Sequence, residues 1–358
     1  MANLNEDLVI LEQSLTRTKR PIAVILGMHR SGTSLLANFL HAIGVDLGQD
    51  LLGADEWNAA GYWESRNIQS IHEKILAELS CSWDNPPLSF HADWFFRPRI
   101  QELKKELIEF VGSECNRTEK ILGFKDPRTA FFLPLWKEIF DELQLEPLYL
   151  LAIREPGSVV ASLKTRDQLG TFHAQVLWLK AYLEVISHTQ DELRMIVDYD
   201  RWFDAGMDQA RKIVKSLNLS ETLSNEKIEN ALNQTIRPEL RHHLSNKIEC
   251  SPIVENFYSL LSRGATNAKM PDEVGEIIAT FKGSMEILSI WDECARDIES
   301  ESAEREKKIV TICEATEEQY TVFKARSRKQ RKYLTVALIT SILFMIILLI
   351  TGTHLFCK

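Results

Sequence analysis

The sequence lacks paired cysteines, a positive net charge and an apolar N-terminal leader, and each absence excludes a class of protein. Its six cysteines form no C-x-x-C pair and no cysteine and histidine spacing typical of a zinc site, so we expect reduced, structural thiols. A net charge of −9 and a pI of about 5.6 argue against a protein that coats nucleic acid. Because Met1–Arg20 shows neither the basic nor the apolar region of a secretory signal, we expect the folded part of the chain to act in the cytoplasm.

The composition, 45% hydrophobic and 26% charged, is typical of a folded globular chain. Short apolar, β-branched runs alternate with helix-period patterns such as Ala174–Ile186. The apolar runs are Pro21–Gly27, Lys120–Phe124, Pro147–Ile153 and Arg194–Tyr199. This alternation predicts an α/β fold with a parallel sheet flanked by helices. The helical patterns near Leu219–Met270 are expected to complete the same domain.

The sequence after Asp272 has almost no glycine or proline, and its apolar residues recur at heptad-like spacing. The pattern predicts a long helical stalk. A continuous coiled coil, which would join copies of the chain, and a bent or partly monomeric helix remain alternatives, because Ser302 and Arg305 interrupt the apolar seam. The seam comprises Phe281, Leu288, Trp291, Ala295, Ile298, Ile309, Ile312 and Phe323.

An uncharged apolar run, Tyr333–Ile350, lies near the end of the sequence. With the next few residues its helical length matches a hydrocarbon core of roughly 30 Å, which predicts a transmembrane helix rather than a buried core helix. Six cations and no anion precede it in Lys324–Lys332, whereas only Lys358 follows, so the positive-inside rule predicts a C-terminal tail anchor with the bulk of the chain in the cytoplasm. The predicted segments are an N-terminal extension (1–20), an α/β domain (21–270), a helical stalk with a basic juxtamembrane end (271–332) and a transmembrane helix (333–353).

A glycine loop follows the first predicted strand and opens the first predicted helix. Its sequence, Gly27-Met-His-Arg-Ser-Gly-Thr-Ser34, has two glycines five residues apart and hydroxyl side chains at the helix start. Backbone N–H groups of such a loop converge on an anion, and the helix N-terminus adds partial positive charge. The loop lacks the lysine that a nucleoside triphosphate loop carries at the position of Thr33, and its cation is Arg30. The candidate ligands are Gly27, Arg30, Ser31, Gly32, Thr33 and Ser34.

A second anion motif begins at the end of the run Pro147–Ile153. Arg154 stands at the carboxyl end of this predicted strand, on the rim where open α/β sheets bind ligands. Ser162 follows eight residues later, after about one turn of loop and one of helix, and can point back to the same anion. Alone, this motif is weak, since strand-end arginines and helix serines also occur without a ligand.

Together the two motifs resemble those of the sulfotransferases that use 3′-phosphoadenosine 5′-phosphosulfate (PAPS). In that family P-K-x-G-T holds the 5′-phosphosulfate and R-x-P-x-x-x-x-x-S holds the 3′-phosphate. His29–Thr33 looks like the first, with His29 in place of the proline and Arg30 in place of the lysine, and Arg154, Pro156 and Ser162 match the second. The phrases GMHRSGTSLL, NAAGYWES and FKDPRTAFFLPLW look like the bacterial branch. The resemblance covers roughly Ile22–Leu219 and implies a P-loop-like sheet, PAPS as co-substrate, adenosine 3′,5′-bisphosphate as product, and a hydroxyl acceptor such as a glycan or a lipid-linked saccharide.

Sulfuryl transfer places negative charge on the oxygen that bridges the sulfuryl group and the nucleotide, so cations there stabilise the transition state. Arg30 suits this role, and Lys125 joins it because its charged head should emerge on the same rim, the alternative being a solvated strand-end lysine. Arg128 is either a further cation of the site or a partner of Asp126 that shapes the turn. The acceptor must lose its proton, and no metal is required if a side chain takes it.

The resemblance favours Glu64 as the proton acceptor over His72, Glu56 and Asp126, while a structural role for Glu64 is equally open. The nearby aromatic residues are candidates for an acceptor pocket or for core: Trp57, Tyr62, Trp63, Trp83, Trp94 and Phe95. The basic cluster Arg237–His243 is interpreted as a solvated helix face, with contact to the nucleotide as the alternative.

Two other functions remain open at this point. A nucleotide phosphotransferase on the same type of fold would bind ATP with magnesium, although the missing lysine at Thr33 argues against it. A membrane-tethered scaffold without catalytic activity would depend on the stalk alone. Nucleotide binding separates the three, since only the leading hypothesis requires affinity for adenosine 3′,5′-bisphosphate.

Overall fold

The computed structural model describes residues 19–266 apart from 56–60, 88–89, 91–92, 190–191, 193 and 237–247, together with isolated residues between 275 and 341. The chain divides into two compact units, Met1–Leu288 and Ser289–Lys358, and the description below concerns the first. The stalk seam, the cluster Arg237–His243 and most of Tyr333–Ile350 lie outside the described residues. Within the described part of the chain, no helix combines the length and the apolar character that crossing a membrane requires.

Four parallel strands form the sheet, in the order β2-β1-β3-β4, with β1 at Arg20–Leu26, β2 at Leu122–Lys125, β3 at Leu145–Ile153 and β4 at Arg194–Asp198. β1 pairs with β2 on one side and with β3 on the other. This confirms the predicted α/β fold with a parallel sheet flanked by helices. The predicted second strand begins two residues too early, because Lys120 and Ile121 precede the strand, and Lys125 is its last residue.

Ten α-helices are assigned within the described residues. They are α1 (Thr33–Ala42), α2 (Arg66–Glu78), α3 (Pro98–Arg117), α4 (Leu133–Glu142), α5 (Pro156–Asp167), α6 (Thr171–His188), α7 (Arg201–Asp204), α8 (Gly206–Ser216), α9 (Asn225–Thr235) and α10 (Pro252–Thr266). Short 3-10 helices occur at Trp94–Phe96 and Pro127–Phe131. The predicted helix Ala174–Ile186 lies inside α6.

The sheet is buried on both faces, which explains why its strands read as continuous apolar runs. In β1, Ile22, Val24 and Leu26 pack into one hydrophobic cluster. Ala23 and Ile25 point to the opposite face and pack into another, with residues of α1, α8 and α9. The layers therefore fix the carboxyl ends of all four strands along one edge, where the loops after β1 and β3 leave the sheet.

Candidate active site

The strand order places a topological switch point between β1 and β3. The chain leaves β1 for β2 on one side and then returns to β3 on the other, so the loops that follow β1 and β3 diverge and leave a crevice. Ligands of open α/β sheets bind in such crevices at the carboxyl ends of the strands. The glycine loop follows β1 and Arg154 follows β3, so both predicted anion motifs border this crevice.

The glycine loop is held in a tight, partly left-handed conformation. Gly27 has φ 142° and Gly32 has φ 87°, and Arg30 between them has φ 68°, which side chains rarely adopt. A Cβ at Gly27 would come within 2.5 Å of the carbonyl oxygen of Ala152 in β3. The loop therefore lies directly against β3 and delivers the chain to the N-terminus of α1, where Gly32 provides no side-chain cap.

The two anion motifs meet through Arg30. Its Nε donates a hydrogen bond of 2.8 Å to Oγ of Ser162 in α5, and its carbonyl oxygen accepts one of 3.2 Å from Nη1 of Arg154. The guanidinium of Arg154 lies 4.4 Å from the ring centroid of Tyr199, just after β4. Arg30, Arg154 and Ser162 thus belong to one site, although they are separated by up to 132 residues in sequence.

Crowding of positive charge makes this site suited to an anion. The pKa of Arg30 is lowered from its ordinary value, first by burial and then by the nearby charges of Arg166 and Arg154. A bound phosphate or sulfate relieves this repulsion and replaces the lost hydration of the guanidinium. The residues present therefore fit the phosphate and sulfuryl groups of PAPS.

Lys125 occupies the end of β2 and is buried rather than solvated, with only 3% of the residue exposed. Its Nζ donates to Oε1 of Glu64 at 2.5 Å, to the carbonyl oxygen of Tyr62 at 3.1 Å and to Oγ of Ser34 at 3.4 Å. The alternative of a solvated strand-end lysine is wrong, because the ammonium group is buried against Glu64. The hydrogen bond to Ser34 nevertheless keeps Lys125 at the N-terminus of α1, next to the glycine loop.

Glu64 is itself buried between two cations. One carboxylate oxygen accepts from Lys125 and the other lies 3.6 Å from Nη1 of Arg128. A carboxylate in this position neutralises part of the cationic cluster and orients Lys125. The structure thereby brings Glu64 to the predicted site, but as the partner of Lys125.

Asp126 and Arg128 together shape the turn after β2. This agrees with one of the two alternatives that the sequence left open for Arg128. Oδ1 of Asp126 accepts from the backbone N–H and from Nη1 of Arg128, each at 2.9 Å. Burial raises the pKa of Asp126, but the charge of Arg128 and the hydrogen bonds that the carboxylate accepts from Nδ1 of His72 and from the backbone N–H of Arg128 outweigh burial and hold the pKa well below its ordinary value. The carboxylate is therefore committed to this internal network.

His72 is fixed in the same network. Its Nε2 accepts a hydrogen bond of 3.0 Å from the indole Nε1 of Trp136, so the proton of the neutral ring resides on Nδ1 and is donated to Asp126 at 3.1 Å. Both ring nitrogens are engaged and the ring is fully buried. His72 is accordingly a structural residue.

Two site residues, Arg166 and Tyr199, escaped the sequence interpretation, whereas Trp83 was a candidate for the acceptor pocket. The ring of Trp83 is tilted by 50° against the imidazole of His29, with ring centroids 4.4 Å apart, and the guanidinium of Arg166 lies 5.8 Å from the Trp83 ring centroid. Tyr199 supports Arg154. Helical spacing offered a signal for Arg166, since it lies one turn after Ser162 on α5, whereas Trp83 and Tyr199 reach the site only through the fold.

The remaining predicted residues fall into place around the loop. Ser31 and Thr33 are buried, and Oγ of Ser34 donates to the carbonyl oxygen of Tyr62 at 3.3 Å. Trp94 belongs to the core, whereas Trp57 lies outside the described residues. Among the residues that the structure describes, no group of three or more His, Cys, Asp or Glu side chains is placed to hold a metal ion.

No protein-family model matches the chain, and no curated protein matches it in sequence. Among solved structures, it is similar to the sulfotransferase domain of the Synechococcus PCC 7002 olefin synthase, with 14% identity, a TM-score of 0.40, and 74% of this chain and 95% of that chain covered. It is also similar to the sulfotransferase STF9 of Mycobacterium avium, with 13% identity, a TM-score of 0.39, and 79% and 80% of the two chains covered.

Proposed function

We propose that the chain is a sulfotransferase that moves a sulfuryl group from PAPS to a hydroxyl of an acceptor. The observation that carries the proposal is the hydrogen bond between Arg30 and Ser162, since it joins the two anion motifs into one cationic site at the switch point. The resemblance of the two motifs indicates PAPS as the sulfuryl donor, because one motif would hold the 5′-phosphosulfate and the other the 3′-phosphate.

Each cation has a distinct part in this proposal. Arg30 and the backbone N–H groups at the start of α1 would hold the 5′-phosphosulfate and stabilise the charge that develops on the bridging oxygen. Lys125, next to Ser34, would add a second positive charge there after exchanging one of its present hydrogen bonds. Arg154, braced on Tyr199, and Ser162 would bind the 3′-phosphate.

The acceptor and the location of the enzyme are part of the same proposal. We infer that the acceptor is a glycan, a lipid-linked saccharide or a similar hydroxyl compound, because the apolar run Tyr333–Ile350 would tether the chain to a membrane. The basic segment Lys324–Lys332 would keep the catalytic domain on the cytoplasmic side and contact anionic headgroups. The stalk would set the distance to the membrane and, as a coiled coil, would pair two copies.

Calorimetric titration of the detergent-solubilised full chain with adenosine 3′,5′-bisphosphate tests the proposal. We expect binding, and we expect the double variant Arg30→Ala/Arg154→Ala to bind roughly 100-fold or more weakly, because each charged hydrogen bond contributes about 1.5–3 kcal/mol. Arg99→Ala is the matched control, since Arg99 is an exposed cation on α3 that pairs only locally with Glu102.

Two outcomes would contradict this assignment. Equal affinity of the double variant and the parent chain would show that the nucleotide does not bind at this loop. Tight binding of ATP with magnesium, in the absence of binding of the bisphosphate, would favour the phosphotransferase alternative. Thermal unfolding of each variant distinguishes a lost site from a lost fold.

A further inference from the structure

His29 has a buried ring nitrogen that has no hydrogen-bond partner among the residues that the structure describes. Its Nε2 is inaccessible to water and accepts or donates no hydrogen bond among the described residues. Leaving such a group unpaired costs about 1–3 kcal/mol, so a buried polar atom without a partner in a native structure indicates a ligand, a water or a catalytic role. A ligand is the relevant explanation for the unpaired Nε2, since His29 immediately precedes Arg30 in the glycine loop.

The other side chains that resemble a base at this site are already engaged. Both oxygens of Glu64 face cations, namely Lys125 and Arg128. Both nitrogens of His72 are hydrogen-bonded, one to Asp126 and one to Trp136. Glu64 or His72 could take a proton only by losing a buried interaction with a present partner. Nε2 of His29 makes no such interaction with the described residues.

Charged groups of the segment Lys125–Arg128, at the end of β2 and in the turn after it, and Arg166 of α5 lie near His29. Burial is the main cause of a pKa well below the ordinary histidine value, and the positive charges of Arg128, Arg166 and Lys125 lower it further, while Asp126 acts in the opposite direction. The ring is therefore neutral and able to accept a proton. A polyanion bound beside it offsets the three cations and makes the ring a stronger base when the donor is in place.

We propose that His29 is the catalytic base of the sulfuryl transfer, a deepening that rests on the proposed function. The acceptor O–H bond breaks and its proton passes to Nε2 of His29. The acceptor oxygen forms a bond to sulfur, while the sulfur–oxygen bond to the nucleotide breaks and leaves its electron pair on the 5′-phosphate. The imidazolium then returns its proton to solvent.

Trp83 would control access to this nitrogen. Its ring is tilted by 50° against the imidazole, and the guanidinium of Arg166 from α5 lies 5.8 Å from its centroid. Because water does not reach Nε2 in this structure, an acceptor reaches it only after a neighbouring side chain moves, and Trp83, whose ring centroid lies 4.4 Å from that of His29, is the candidate. His29 and Trp83 together would form the acceptor side of the site.

Kinetics of the full chain with PAPS and 2-naphthol, a small hydroxyl acceptor, test the role of His29, with hydrolysis of PAPS as a second readout. We expect His29→Gln to bind adenosine 3′,5′-bisphosphate within about threefold of the parent chain and to lose roughly 100-fold or more in kcat. Added imidazole should restore part of the activity of His29→Ala. Glu64→Gln tests the competing assignment, in which Glu64 is the base. If kcat/KM of this variant still falls with decreasing pH as it does for the parent chain, Glu64 is excluded as the base.

The pH dependence supplies a signature that a structural role would not produce. For the parent chain, kcat/KM should fall as pH decreases through the lowered pKa of His29, and the fall in kcat should occur at higher pH because the bound anion raises that pKa. Nitrogen-15 NMR of the histidine ring, assigned with His29→Gln, should show the same upward shift on binding of the bisphosphate.

Three results would overturn the inference. One is full activity of a folded His29→Gln chain, and another is a ring pKa that does not move when the bisphosphate binds. Failure of the parent chain to bind the bisphosphate would remove the proposed function as well, and this outcome is distinct because it precedes any measurement of transfer.

Discussion

At the scale of single residues, contact with neighbouring side chains restricts which residue type can occupy a position in the site. Gly32 caps α1 with φ 87°, and a Cβ there would lie 2.5 Å from Cδ2 of Tyr199. The same tyrosine ring supports the guanidinium of Arg154. Gly32 therefore allows the loop after β1 and the residue after β4 to approach closely enough to share one anion site.

Substitution of this glycine should damage binding as well as stability. We expect Gly32→Ala to lower the free energy of unfolding by about 1–3 kcal/mol, because of the left-handed backbone and the contact with Tyr199. Affinity for adenosine 3′,5′-bisphosphate should fall at least tenfold, because the displaced ring no longer supports Arg154. Urea unfolding and calorimetric titration measure the two effects.

Gly53 provides the matched control for this substitution. It is exposed, and a Cβ there would meet nothing within 4 Å. Gly53→Ala should therefore change stability by less than about 0.5 kcal/mol and leave binding unchanged. If Gly32→Ala behaved like Gly53→Ala, the close packing against Tyr199 would be incorrect.

At the scale of elements, α5 is the unit that presents the second anion motif. Glu155 caps its N-terminus, with Oε1 accepting from the N–H of Gly157 at 3.0 Å and Oε2 from the N–H of Ser158 at 2.8 Å. A Cβ at Gly157 would collide with the carbonyl oxygen of Ile248. The start of α5 is thus fixed by its cap and by the segment that leads into α10, and this fixes Arg154 just before it.

Removing this cap should affect both stability and ligand binding. Glu155→Ala should cost about 0.5–2 kcal/mol of unfolding free energy and weaken bisphosphate binding, because Arg154 loses its fixed position. Ser224→Ala is the control, since Ser224 caps α9 by accepting from the N–H of Lys227 at 3.3 Å and takes no part in the anion site. Ser224→Ala should cost a similar free energy of unfolding and leave binding unchanged. Equal binding by both variants would show that the α5 cap does not position Arg154.

At the scale of the whole molecule, the residues that stabilise the fold and the residues proposed to bind the anion lie on different parts of the sheet. Its two buried faces carry the hydrophobic clusters, and the edge formed by the strand ends carries the charged residues. The net charge of −9 is therefore compatible with an anion site, because Arg30, Lys125 and Arg154 are concentrated at that edge.

The proposed membrane tether makes a prediction at this scale. The full chain should sediment with membranes and resist extraction with alkaline carbonate, whereas a chain that ends at Lys332 should be released, because it lacks the run Tyr333–Ile350. Substituting the six cations of Lys324–Lys332 in the full chain should leave membrane association intact while weakening the orientation preference. Release of the full chain by carbonate would contradict the tether.

Much of the fold could be predicted from the sequence, because strands buried on both faces must be apolar throughout, and β1 and β3 show this directly. The ends of β2 were less certain, since four residues give little pattern. The positions of Arg30, Arg154 and Ser162 at one site could also be predicted, because their motifs have fixed spacing relative to strand ends. The environment of Lys125 could not, since Glu64 lies 61 residues away in sequence.

The sequence by itself determined the class of fold, the two anion motifs and the apolar run near the C-terminus, because each of these is a local pattern of residue types. Only the tertiary structure decided which side chains are engaged. It paired Glu64 with Lys125, closed the network of His72, Asp126 and Trp136, and left Nε2 of His29 without a hydrogen-bond partner in the described part of the chain. Hydrogen bonding inside a protein depends on which distant segments the fold brings within about 3 Å of each other, and no local pattern encodes that proximity.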